Sequence, residues 1–332
     1  MDFIALILSY TLAYGVSLLL VALGGMINER SGIINIALEG IMIFGGMFGS
    51  LFLSLVSHAP WAIAHPQLTV FFGILISAAS GALLSLLLAY ASIRLKADQT
   101  IAGTALNIFS PAFAVVLVWA IQGQGLTDIA LPRFIAITPE TLGIDASTLP
   151  SWLDTLFFNK MYLTIPLCFV ILVVVWIIMY KTRFGLRLRS CGEHPQAADS
   201  VGINVVKMRY AGVLISGLLA GIGGFAFVLT SSNSTFTASV GGYGFLALAV
   251  MIFGNWKPWT ITGAAFFFAF FKTIAALAMN DRLSFLPKFG LNSPDYLYDI
   301  LPYLITMLVL AFSSKKSRAP KAEGIPYDVG KR

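Results

Sequence analysis

A bilayer hydrocarbon core takes roughly 20 consecutive apolar residues to cross as a helix. This chain offers such runs near residues 3–24, 34–57, 67–91, 100–121, 162–180, 211–230, 259–279 and 297–312. A further apolar piece, Tyr243 to Phe253, is too short to cross comfortably by itself. It reads as a half-helix, which a membrane protein tolerates where it is buried in protein or lines a water-filled cavity. The fold expected is all-α, a polytopic transmembrane helical bundle of about 8–10 spans including half-helices. Hydrophobic residues make up 58% of the chain and charged residues only 11%, whereas soluble domains carry about a quarter charged. The lipid bilayer is therefore the first expected partner.

Charge placement orients the bundle. The net charge is +6, but the basic residues sit in short loops and the tail, as membrane orientation requires and unlike a nucleic-acid footprint. No nucleic-acid partner is expected. Residues 181–210 carry Lys181, Arg183, Arg187, Arg189, Lys207 and Arg209 against Glu193 and Asp199. The positive-inside tendency puts that island in the cytoplasm. Loop 92–99 and the tail 313–332 belong on the same side. Loops 58–66 and 122–161 belong outside. The crossings agree at the C-terminal end only if 243–253 crosses or re-enters, bringing Trp256-Lys257-Pro258 to the cytoplasm. The run Phe3 to Leu23 lacks a basic flank and a small-residue cleavage site, so it reads as a retained span. One transmembrane domain, 1–312 with a cytoplasmic loop at 181–210, is followed by a basic tail.

No catalytic centre is expected. His58, His65 and His194 lie in loops without partners at metal-ligand spacing, and no Walker phosphate loop occurs. Cys168 sits in an apolar run and Cys191 in the island, so neither a disulfide nor a thiolate metal site is expected. Neither a metal nor a cofactor is assigned to this chain.

Ionisable groups in membrane helices are functional candidates because desolvating them is costly. Asn28, Glu29 and Arg30 interrupt the apolar pattern together, and Asn35 and Glu39 are spaced one helical turn apart on the next span. One reading makes these five residues part of a polar translocation path. The other has Glu29 pairing with Arg30 in an interfacial loop while Glu39 caps or braces a neighbouring helix. Lys272, inside the 259–279 run, either snorkels or pairs with a carboxylate such as Glu39. Gly45, Gly46 and Gly49, Gly217 and Gly221, and Gly223 and Gly224 are candidates for close helix packing.

Within the island, Pro195 suits the first turn of a short helix and Gly202 its end. The stretch Gly192-Glu193-His194-Pro195-Gln196-Ala197-Ala198-Asp199-Ser200-Val201-Gly202 resembles the cytoplasmic coupling loop of ABC-importer permeases. Glu29-Arg30-Ser31-Gly32 leading to Asn35 and Leu38-Glu39-Gly40, then Gly242-Tyr243-Gly244 and Phe253-Gly254-Asn255-Trp256, follow in family-like order. Over nearly its whole length the chain resembles bacterial permeases of the branched-chain amino acid and simple-sugar group. The similarity is greatest to the shorter permease of purine-nucleoside importers.

That resemblance implies a type II ABC-importer fold and an inner-membrane location. It also implies a cytoplasmic ABC ATPase that binds ATP and Mg and docks on Gly192, Glu193, Pro195, Ala197, Ala198, Asp199 and Gly202. A second, dissimilar permease and an extracytoplasmic substrate-binding lipoprotein would complete the importer, with a nucleoside as its cargo. Relatives with the same skeleton carry sugars, amino acids or flavins, and an ion-coupled secondary transporter using Glu39 and Lys272 is the alternative of another class.

Overall fold

Helices long and apolar enough to span a bilayer form the body of the molecule. The computed structural model describes residues 2–123, 125, 127–143, 149–232, 234–279, 304, 307 and 319–328. The long helices are α1 (Asp2–Glu29), α2 (Leu38–Val56), α4 (Pro66–Ala89), α5 (Gln99–Gln122), α7 (Thr164–Lys181), α10 (Val205–Thr230) and α12 (Pro258–Met279). A π-helical turn, Tyr90–Arg94, extends α4. Shorter helices are α3 (Pro60–Ala64), α6 (Ser151–Phe157), α8 (Arg183–Glu193), α9 (Pro195–Ser200) and α11 (Tyr243–Phe253). The only strands among the described residues, β1 (Ile129–Ala130) and β2 (Thr235–Phe236), pair antiparallel. Of the expected spans, 297–312 lies outside the described residues apart from Leu304 and Met307.

Local chemistry fixes several helix starts. Asp98 caps α5 by accepting from the Thr100 and Ile101 amides at 2.8 and 3.0 Å. Asn204 caps α10 by accepting from the Lys207 amide at 2.9 Å, so the last residues of the basic island are already helical.

The expected span 34–57 is corrected: its helix starts at Leu38, and Asn35 lies in the non-helical stretch before it. Amide side chains on α5 account for the difference by satisfying the unwound backbone. Gln99 Oε1 accepts from the Ile34 amide at 2.7 Å, and Asn107 donates to the Ile36 carbonyl at 2.9 Å and accepts from the Gly40 amide at 2.8 Å.

α10 is the central post, packed against α1, α4 and α2. Close approach depends on missing side chains. A Cβ on Gly45 would overlap the backbone of Gly221, one on Gly224 the carbonyl of Met42, and one on Gly221 the carbonyl of Ser77. The small residues thus let α2, α4 and α10 meet backbone to backbone, as small-residue interfaces do in membranes.

The two ends of the bundle differ. At one end, Arg30 meets Glu193, Lys96 meets Asp328, and the Ala322 amide donates to the Gly192 carbonyl. These loops are the ones that charge assigns to the cytoplasm. At the other end, Lys160 Nζ donates to the Thr230 carbonyl at 3.1 Å and stands 4.3 Å from the Tyr10 ring centre, while Tyr162 and Ser234 share a 2.9 Å hydrogen bond. Lys272 belongs near this outer end, because its neighbour Thr273 accepts from Thr11, far from Glu39. This placement fits a snorkelling lysine rather than a partner for Glu39.

Gly221→Val is expected to abolish accumulation of folded protein, since overpacking alone costs about 1–3 kcal/mol and here the obstacle is backbone. Gly263→Ala, where nothing lies within 4 Å of the added carbon, is expected to be tolerated. Thermal unfolding in detergent followed by size-exclusion chromatography checks both.

Burial lowers the Lys160 pKa from 10.5 to about 8. The folded protein therefore binds fewer protons at this site than the unfolded chain between those values, and its contribution to stability rises with pH across that window. Lys160→Met is expected to flatten the rise in unfolding temperature between pH 8 and 10.

Candidate coupling platform and half-helix

The cytoplasmic island folds into a helical elbow. Thr182 leaves α7 in extended conformation and accepts the Gly185 amide at 3.2 Å, starting α8. The chain breaks at His194, and α9 begins at Pro195, whose absent N–H costs nothing in a first turn. After α9, the Gly202 amide donates to the Asp199 carbonyl at 2.9 Å and the Ile203 amide to the Ala198 carbonyl at 3.1 Å. Gly202 has φ +83°, where a side chain would be strained.

Pro195 and Ala198 face inward, and Cys191, Ala198 and Val205 form a small core beneath the elbow. Burial raises the Cys191 pKa, so the thiol stays protonated and behaves as packing. Ala197 and Val201 point outward, with Val201 75% exposed. Beside them Ser190, Glu193, His194 and Ile203 help to line a groove of about 240 Å³. An exposed apolar ridge next to a groove on the cytoplasmic end is a surface suited to receiving a protein.

The elbow is tied to the membrane helices through the Asn28 to Gly32 segment. Arg30 reaches Glu193 at 3.7 Å and donates to the Trp256 carbonyl at 3.2 Å. Trp256 in turn donates its indole N–H to Glu29 at 2.6 Å, and Asn28 donates to the Ile33 carbonyl at 2.9 Å. Gly192 allows the contact, because a Cβ there would strike the Arg30 backbone. Among the described residues Glu29 and Arg30 form no ion pair with each other; both reach Trp256, Glu29 at its indole N–H and Arg30 at its carbonyl, and Arg30 also reaches Glu193. The structure thus groups Asn28, Glu29 and Arg30 with the elbow, and separates them from Glu39.

Glu39 belongs to a second centre. Its two carboxylate oxygens accept the Gly242 amide at 2.8 Å and the Gly244 amide at 2.6 Å, which are unpaired donors at the start of α11. A Cβ on Gly244 would collide with the Glu39 backbone, so only glycine admits this approach. Gly40 bonds Asn107, the ninth residue of α5. At 1.5 Å per residue this lies about 12 Å in from the cytoplasmic start of that helix. α11 then descends to Trp256 at the elbow. Asn35 is not on the Glu39 helix; it donates to Ser216 on α10 at 3.0 Å.

The sequence-based reading missed Asn107, Gln99 and Arg209. The first two announce themselves as amides in or beside the apolar run 100–121. Arg209 is buried and donates to the Ile325 carbonyl at 3.0 Å, a partner too distant in sequence to foresee. Among the described residues no group of three His, Cys, Asp or Glu is placed to hold a metal ion.

A family model described as the permease component of the branched-chain amino acid transport system matches residues 7–310. The chain belongs to that family. It is accordingly a multi-pass, all-helical permease of the bacterial cytoplasmic membrane. It is similar to the guanosine ABC transporter permease protein NupQ of Bacillus subtilis, 40% identical over 99% of this chain and 98% of the relative. It is also similar to the nucleoside ABC transporter permease protein NupC of Lactococcus lactis, 37% identical over 97% and 96%. A third relative, the nucleoside ABC transporter permease protein NupB of the same Lactococcus, is 24% identical over 80% of this chain and 71% of its own. No solved structure matches the chain.

Glu39→Leu would strand two amides away from water at about 1–3 kcal/mol each. It is expected to lower the unfolding temperature of this permease clearly more than Glu39→Gln, which keeps one acceptor oxygen. Differential scanning fluorimetry in detergent measures the ordering.

Proposed function

We propose that this permease is one half of the membrane channel of an ATP-driven importer for nucleosides, purine nucleosides in particular. The observation that carries the reading is the near-full-length similarity, at 40% identity, to a permease whose name specifies guanosine. The elbow supports the ATP-driven part: a short helix started by Pro195 and ended before Gly202 presents Ala197 and Val201 to the cytoplasm. The protein docking there is an ABC ATPase that holds ATP and Mg, so this chain is a transport subunit rather than an enzyme. Gly192, Glu193, Pro195, Ala197, Ala198, Asp199 and Gly202 form the dock.

Movement of the dock passes through Arg30 and Trp256 to the two helices that meet there. α1 ends at Glu29, and α11 ends beside Trp256. Asn28, Glu29 and Arg30 therefore act as the linkage, while Asn35 and Glu39 lie at the level where α11 begins and serve the path. A second permease closes the other side of the path. Lactococcus lactis having two dissimilar nucleoside permease proteins, NupC and NupB, supports a heteromeric pair. A lipid-anchored binding protein delivers the cargo from outside.

The test is uptake of radiolabelled guanosine by proteoliposomes holding the complete importer, with ATP supplied on the cytoplasmic side. Glu193→Ala removes a partly exposed carboxylate 3.7 Å from Arg30, which keeps its bond to the Trp256 carbonyl. It is expected to leave assembly intact while cutting substrate-stimulated ATP hydrolysis at least several-fold. Gly202→Val is expected to do the same by straining the end of α9. Uptake driven by an ion gradient without the ATPase, or uptake of a sugar or amino acid in preference to guanosine, would overturn the proposal.

A further inference from the structure

Between β2 and α11 the chain runs without helix through the outer half of the bundle. Phe236 is fixed at its start by pairing with Ile129, and Gly242 at its end by Glu39. Since Glu39 stands about 12 Å in from the cytoplasmic start of α5 by helix rise, the intervening residues occupy membrane depth. Their burial alternates from residue to residue, with a bend at Ala238, where φ is +51°. Thr237, Ser239 and Gly241 are exposed, whereas Ala238 is 7% and Val240 0% exposed.

Non-helical backbone at this depth is not stable against lipid; it is tolerated where protein buries it or where it borders water. One edge of the segment meets the first condition through Ala238 and Val240. The other edge carries hydroxyls, the wrong groups for hydrocarbon. One helical turn beyond Gly241 stands the ring of Phe245, 49% exposed. The carboxylate of Glu39, which lies next to this edge, is already engaged by the α11 amides.

We propose that Thr237, Ser239 and Gly241, with Phe245 below them, form the wall along which the nucleoside passes. The proposal rests on the importer reading and names the substrate contacts within it. The chemistry is matched part by part. Thr237 and Ser239 offer hydroxyls that both donate and accept, as ribose hydroxyls and purine nitrogens require. Ser239 already accepts from the Gly241 amide at 3.2 Å, which leaves its own proton for the solute. Gly241 leaves room for a flat base to approach the backbone. Phe245 supplies an aromatic face; base stacking on such faces is sequence-tolerant and fits a carrier of several purine nucleosides. The wall carries no cationic side chain, so it suits a neutral nucleoside and not its phosphates.

Single cysteines at 237, 238, 239 and 240, in a background lacking the buried Cys168 and Cys191, test this in the complete importer. Each variant is treated with a membrane-impermeant methanethiosulfonate reagent, with and without guanosine and its binding protein. Thr237→Cys and Ser239→Cys are expected to react at least tenfold faster than Ala238→Cys and Val240→Cys, and guanosine is expected to slow them several-fold. Uniform or absent labelling would overturn the wall even if guanosine is transported. Alternating labelling that guanosine leaves unchanged, in a complex that transports guanosine, would overturn the substrate contact. Alternating labelling in a complex that transports no guanosine would instead overturn the nucleoside reading and leave the water-facing wall standing. As a second readout, Phe245→Ala is expected to raise the KM for guanosine several-fold, with Phe245→Tyr restoring it. An unchanged KM in Phe245→Ala would remove the stacking role.

Discussion

Two backbone amides that begin a helix inside a membrane need an acceptor, and in this permease the acceptor is the side chain of Glu39. Much of the interior follows from that pairing. It fixes where α11 starts, and so where the chain changes from non-helical to helical. It demands glycine at Gly244, because the donor must come within reach of the Glu39 backbone. It also gives α2 a start part-way through the bundle, which leaves the preceding residues unwound and in need of partners of their own. Gln99 and Asn107 provide them from a neighbouring helix. A carboxylate here is costly to desolvate, and the two charge-assisted hydrogen bonds offset that cost.

The half-helix also spans the distance between the two centres. Its upper end is held by Glu39, and its lower end meets Trp256, which donates its indole N–H to Glu29 and accepts from Arg30 at its carbonyl. A rigid element pinned at both ends transmits displacement between them more faithfully than a loop would. The elbow is joined to Trp256 through the pair of Arg30 and Glu193. Force applied at α9 thus has a short mechanical route to the level of Glu39, without needing the whole bundle to deform.

Much of this was legible in the sequence, for identifiable reasons. Span positions follow from the length of apolar runs, a signal that lipid makes strong. The α9 boundaries were legible because Pro195 and Gly202 act locally, through a missing N–H and a permissive φ. The start of α2 was not, since Asn35 and Glu39 have helical spacing and the unwinding depends on amides some 70 residues away on α5. Glu29 and Arg30 look like an ion pair because they are adjacent. Only the folded chain shows that both reach Trp256, far off in sequence, one at its indole and the other at its carbonyl. The small-residue motifs were readable as packing candidates, but which helices they join is a property of the assembled bundle.

The residues from Pro320 to Asp328 fold back beneath the bundle. The Ala322 and Gly324 amides donate to the Gly192 and Gly32 carbonyls, Arg209 holds the Ile325 carbonyl, and Asp328 meets Lys96 at 3.0 Å. Burial raises the pKa of Glu323 within this segment. The strap is synthesised more than a hundred residues after the elbow it fastens. During translation, therefore, the elbow leaves the ribosome before the strap exists, while α10, α11 and α12 are still to be made. The elbow thus gains its contacts to Ala322 and, through Arg209, to Ile325 only after the helices between them have been made.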